Sequence, residues 1–112
     1  MKRLPFKQPS EEFTQVVDWN KNLVDGETVT WAVSNPRLLR RLIAGTTDDS
    51  SQVVSSSLQS DGTSLLALRR GTHGNIYHIK SLASSNLNQI LEEDLILLVW
   101  DMGDKEDYSD GF

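Results

Sequence analysis

From Phe13 to Trp100 the chain is a succession of short β-prone runs cut by turn signals, and this spacing constrains its architecture more than any other feature. Phe13 to Trp19 is rich in β-branched and aromatic residues and ends before the turn dipeptide Asp25-Gly26. Thr28 to Ser34 alternates cleanly, so Val29, Trp31 and Val33 are expected to face one way, with Thr28, Thr30 and Ser34 opposite. Strand signals return at Val53 to Leu58 and, across Asp61-Gly62, at Thr63 to Arg70. Gly71 to Asn75 breaks the chain, Ile76 to Ala83 is the next strand, Ser84 to Asn88 turns, and Ile90 to Trp100 is a long apolar run. The connections are too short for helical crossovers, which predicts antiparallel pairing in a two-layer β-sandwich of about seven strands.

One stretch carries the opposite signal. Asn35 is a capping residue, Pro36 suits a first helical position and Gly45 an end, so 36–45 reads as a short helix or irregular excursion. It would span only about two turns, marginal without packing. Thr46 to Ser51 reads as a loop.

A chain of 112 residues has room for one core. The expected layout is an arm at 1–12, the β-sandwich at 13–100 and an acidic tail at 101–112. Met1 to Phe6 has two basic residues with no apolar stretch behind them, which argues against a secretory signal, and no apolar run approaches the roughly 20 residues of a membrane helix. The chain has no cysteine, which removes disulfides, thiolate metal sites and thiol nucleophiles.

Net charge is −5, and much of it sits in the tail, where Asp101, Asp104, Glu106, Asp107 and Asp110 face only Lys105. Such a balance disfavours nucleic acid. The tail reads as solvated, or as an arm that docks on a basic neighbour through Tyr108 and Phe112. Arg37, Arg40 and Arg41 form the compact basic cluster, with Arg69 and Arg70 a second pair. They read as a solvated face, or as the docking site for another copy's acidic tail in a repeating oligomer.

Catalytic constellations are thin. His73 and His78 lack a third ligand at metal-site spacing and are expected to be exposed polar residues. Gly71-Thr72-His73-Gly74 lacks the lysine and following helix of a phosphate loop and reads as a tight β-connection. The tail acids do not match a calcium loop. No Ser/His/Asp set is implied by spacing. Glu92, Glu93 and Asp94 read as the polar start of the last strand, guarding an exposed edge. These absences lead to the expectation of no enzymatic activity, no cofactor, no metal and no small-molecule substrate. The last strand holds the more useful anomaly. Leu95, Leu97 and Val99 can fill a core face, yet Ile96, Leu98 and Trp100 stand where a solvated face would be polar. Either both faces are covered within the domain, or the outer one meets a partner.

Several blocks in order resemble a known family: Lys7-Gln8-Pro9-Ser10-Glu11-Glu12, Val17-Asp18-Trp19, Gly26-Glu27-Thr28-Val29, Trp31-Ala32-Val33, Gly71-Thr72-His73-Gly74-Asn75-Ile76-Tyr77-His78-Ile79, and Glu92 leading into Leu95, Leu97 and Val99. Over roughly Pro5 to Val99 the chain resembles the small immunoglobulin-like fiber–tail adaptors and neck–tail connectors of tailed bacteriophages. The resemblance implies a non-enzymatic virion protein, present in several copies in a ring that joins tail or neck to fibers. The chain departs from the family pattern at Pro36 to Gln52, which looks like an insertion, and at Ser84 to Asn88, which replaces the usual Thr/Ser-x-Gly turn. Tyr77, after a glycine-containing turn and two residues before Ile79, looks like the tyrosine corner of immunoglobulin-like sandwiches, with Ile79 where disulfide-bearing members have cysteine. Trp19, Trp31, Tyr77, Ile79, Leu95, Leu97 and Val99 are the predicted core. The alternative function is a carbohydrate- or cell-surface-binding module of the same sandwich class, against which the scarcity of loop aromatics argues.

Overall fold

The computed structural model describes residues 2–60 and 62–102, the side chains of 56–60 excepted. Among them the strands run β1 Lys2–Arg3, β2 Phe13–Asp18, β3 Val29–Arg41, β4 Val54–Ser60, β5 Thr63–Leu68, β6 Asn75–Ser85 and β7 Ile90–Leu98, with 3₁₀ turns at Asn20–Asn22 and Ser50–Gln52. They form two sheets, ordered β1-β7-β6-β3 and β2-β5-β4. All ladders are antiparallel except β1 on β7. The protein is an all-β two-sheet sandwich, and the alternating runs build it for the expected reason: each strand has one apolar face to bury.

Trp19, Leu66, Leu68, Tyr77, Ile79, Leu95, Leu97 and Val99 are all buried in the core between the sheets. Trp31 is not: it is 52% exposed. The cause is a register shift between Val29 and Trp31 where β3 pairs with β6. One extra residue reverses the phase of a strand with period two. Val29 therefore points inward, while Trp31 and Val33 share the outer face with their β6 partners Ser84 and Leu82. Ala32 and Leu38 pack on the core instead.

The expected helix or irregular insertion at 36–45 is strand through Arg41. β6 offers that stretch a continuous ladder, including Pro36 opposite Ile79 and Leu38 opposite Tyr77. Tertiary pairing outweighs the weak propensity of a two-turn helix. Proline is tolerated because β3 lies at the sheet edge. The turn expected at 84–88 is shorter: β6 runs through Ser85, the chain turns at Asn86 to Asn88, and Asn88 supplies the left-handed residue, at φ 64°.

The first residues complete the four-stranded sheet. Leu4 N–H donates to Ile96 O at 2.9 Å, Lys7 N–H to Leu98 O at 2.8 Å, and Trp100 N–H to Lys7 O at 2.9 Å. Lys7 is fully buried, and its ammonium donates to the carbonyls of Gln8, Pro9 and Arg70. Burial holds its pKa below the ordinary value, against the pull of Glu11, Glu12 and Asp49.

Polar hubs tie the loops at both ends of the sandwich. At one end the Tyr77 hydroxyl accepts from Thr72 N–H at 2.8 Å and Asn75 Nδ2 at 3.2 Å, and donates to Asp49 Oδ1 at 2.5 Å. Asn75 Nδ2 also donates to Thr47 O at 2.9 Å, so the 46–49 segment is fastened to the start of β6. Burial and the Asp49 hydrogen bond raise the Tyr77 pKa. At the other end Glu27 accepts from Ser85 Oγ at 2.5 Å, Val24 N–H at 3.0 Å and Gln89 Nε2 at 2.8 Å. Those donors hold its carboxyl below the ordinary value of 4.5, with Ser85 the largest cause.

Tyr77→Phe should destabilise the protein by about 1–3 kcal/mol in urea unfolding while keeping the β spectrum, because it strips partners from buried donors and acceptors. The Glu27 contribution is fully present above its ordinary pKa and is lost as pH falls through the lower folded value. Glu27→Gln should therefore lower stability at neutral pH and flatten its decline below pH 4.5, as read by thermal melts across an acid series.

Candidate protein interface on the four-stranded sheet

The β3-β6-β7 register sets which side chains share the outward face. One rung is Ile76 opposite Leu98 and Arg40. The next is Arg37, His78 and Ile96, followed by Asn35, Lys80 and Asp94, then Val33, Leu82 and Glu92, then Trp31, Ser84 and Ile90. The face is thus apolar at both ends and polar in the middle.

The apolar strip expected at Ile96, Leu98 and Trp100 is on this face, and all three residues are half-buried. Two neighbours that sequence patterning did not mark extend it. Phe6, 49% exposed, forms with Leu98, Trp100 and Met102 an open hollow of about 300 Å³. Arg3, beside Ile96 in the β1–β7 ladder, lines a second hollow with Leu39, Arg40, Ile76 and Ile96. No further layer lies over this face among the described residues. Only the pairing of the first seven residues with β7 places Arg3 and Phe6 here, and they are nearly ninety residues from β7 in sequence.

The arginine cluster divides. Arg40 flanks the apolar hollow. Arg37 stands one rung on and donates from Nε to His78 Nδ1 at 2.9 Å. Arg41, next to Arg40 along the strand, takes the other face by alternation, pairs with Asn75 and donates to Thr46 O at 3.1 Å. Arg69 is drawn elsewhere by an ion pair with Glu12 and a 2.8 Å hydrogen bond to Ser55 Oγ. Tyr108 and Phe112 lie outside the described residues.

The histidines are not the exposed residues that their spacing suggested. His78 is buried, and its Nε2 lies 2.7 Å from Asp94 Oδ1. Because Nδ1 accepts from Arg37, the Nε2 hydrogen donates to Asp94, giving an Arg37–His78–Asp94 chain across the polar middle. The His78 hydrogen bond holds the Asp94 carboxyl below its ordinary value of 3.8. His73 is half-buried; its Nδ1 accepts from Asp101 N–H at 2.8 Å, and its ring centroid lies 4.3 Å from that of Trp100. Glu92, Glu93 and Asp94 precede Leu95, where pairing with β1 begins, so they line the unpaired edge of β7 as expected. Among the described residues no three His, Asp or Glu side chains converge as metal ligands.

The sequence matches no family model and no curated protein.

Asp94→Ala should cost roughly 1–3 kcal/mol, because it leaves the buried His78 Nε2–H without its acceptor. In the unaltered protein at mildly alkaline pH, nitrogen NMR should find the His78 hydrogen on Nε2; a hydrogen on Nδ1 would contradict the Arg37 contact.

Proposed function

We propose that this protein is a non-enzymatic structural component of a tailed-bacteriophage virion, an adaptor that joins the neck or tail to fibers or adjacent ring proteins. The observation that carries the reading is the outward face of the four-stranded sheet. There an apolar strip flanked by arginines stands on a rigid strand ladder, with no covering layer among the described residues. Apolar burial around Leu98 and Trp100 supplies affinity, and Arg3, Arg37 and Arg40 set register and orientation. Several weak copies in a symmetric ring add avidity. The protein acts in the virion, at tail or neck.

The strand order supports an immunoglobulin-like reading of the sandwich. β2-β5-β4 and β3-β6-β7 match the B-E-D and C-F-G sheets of that fold, with β1 set parallel against the last strand. The Tyr77 hydroxyl, bonded back to the Thr72 backbone, matches the tyrosine corner. The buried tryptophan departs from the pattern: it is Trp19, after β2, while Trp31 on the strand equivalent to C is exposed.

Trp100→Ala should leave melting within a few degrees and abolish incorporation into particles, scored by mass spectrometry of purified virions. Unchanged incorporation would overturn the adaptor role for this face. Trp31, exposed on the same face near Ile90, favours the carbohydrate-binding alternative. Binding of the purified protein to a glycan array, lost in Trp31→Ala, would put that reading first.

A further inference from the structure

The polar middle of the outward face is built around one ring. His78, 4% exposed, sits between β3 and β7 with both ring nitrogens engaged. Its Nδ1 accepts from Arg37 Nε–H at 2.9 Å, and its Nε2 lies 2.7 Å from Asp94 Oδ1. A guanidinium can only donate, so the first contact requires a neutral imidazole whose hydrogen is on Nε2.

The two contacts respond differently to a proton. Asp94 accepts from Nε2–H whether the ring is neutral or charged. The His78 hydrogen bond, as the largest cause, holds the Asp94 carboxyl below its ordinary value of 3.8, so it stays ionised over the range in which histidines titrate. Asp94 therefore anchors the ring in one orientation in both states. An arriving proton has only Nδ1 to occupy. There it meets Arg37 Nε–H, and two donors carrying two positive charges face each other where one hydrogen bond stood.

Among the described residues nothing else holds the Arg37 side chain: its contact with Nδ1 is its guanidinium's one hydrogen bond, and it takes part in no ion pair. The other charges around the ring are placed elsewhere. Lys80, next outward on β6, is 3.6 Å from Glu92 on β7. Lys2 and Glu93 lie about the hollow at the sheet edge beside Asp94. Arg3 on β1 stands beyond Ile96.

We infer that His78 is a proton switch in the docking surface: uptake of one proton at Nδ1 displaces Arg37 from its seat on the ring and frees its guanidinium for a partner's carboxylate. The inference rests on the reading of this face as a docking surface, and deepens it. With His78 neutral the face offers Arg3 and Arg40; with His78 charged it offers Arg37 as well. The partner favoured in acid is one that sets acidic groups opposite the polar middle. The linkage is reciprocal: a carboxylate that draws Arg37 away leaves Nδ1 open, so docking takes up a proton.

The test follows arginine side-chain and imidazole nitrogens by NMR in the isolated full chain, from about pH 8 to about pH 5. At the alkaline end a nitrogen–nitrogen coupling should connect Arg37 Nε to His78 Nδ1 across the hydrogen bond. Arg37 Nε–H should also exchange with water more slowly than that of Arg40. As His78 Nδ1 takes up its proton, the coupling should vanish. The Arg37 signal should move to the position of Arg40 with the same midpoint, while the core amide of Ile79 stays in place. An Arg37 signal that holds still while His78 titrates would overturn the inference. So would a step that tracks His73 instead, or a His78 ring that stays neutral until the protein unfolds. These outcomes concern the isolated protein alone. Normal incorporation of Trp100→Ala into particles would instead overturn the docking role and leave the proton-linked movement of Arg37 standing.

Discussion

The antiparallel pairing of β6 with both β3 and β7 is the constraint from which the rest follows. β6 is the longest strand paired on both sides, and its inward row of Tyr77, Ile79, Ser81, Ala83 and Ser85 is buried throughout. Its position in mid-sheet draws β3 out to Arg41 against the local helix signal and sets β7 in the phase that buries Leu95, Leu97 and Val99. The same ladder, seen from outside, aligns Ile76 with Leu98 and His78 with Ile96. Core and outward face are two sides of one register, and a one-residue slip would exchange them.

Loops at the two ends of the sandwich are fastened by buried polar groups. Tyr77 and Asn75 hold the 46–49 segment and the 72–75 turn, while Glu27 and Ser85 hold the loop before β3 against the β6–β7 turn. Among the described residues no buried side-chain nitrogen or oxygen lacks a partner. That is the condition under which polar groups inside a small core specify one loop arrangement rather than many. Lys7 follows the same logic, with its ammonium held by backbone carbonyls while its strand closes the sheet.

The outward face combines features that suit contact with another macromolecule. Its apolar end has depth and flanking guanidinium groups; its middle is a satisfied hydrogen-bonded chain, Arg37–His78–Asp94; its far end shows Trp31 and Ile90, the latter 69% exposed. Apolar ends supply burial, and a polar centre penalises a partner set in the wrong register.

Alternation, turn dipeptides and short connections made the all-β sandwich legible, and with it Trp19, Tyr77, Ile79, Leu95, Leu97 and Val99 of the core, though not Leu66 and Leu68. The run Ile96, Leu98, Trp100 was legible as an anomaly, because strand period alone separates it from Leu95, Leu97 and Val99. Local patterning could not reveal the shift between Val29 and Trp31, since a bulge is a property of two paired strands. Nor could it assign 36–41 to a strand, for the ladder that outcompetes a helix there comes from residues some forty positions away. The burial of His78 and the splitting of the arginines have the same origin. What the amino-acid order determined by itself was period, and hence the sandwich and its two candidate faces; which residues meet across the sheets, and so which side of Trp31 sees solvent and which arginines share a surface, was decided only by tertiary pairing, because register is a relation between strands and is written in none of them singly.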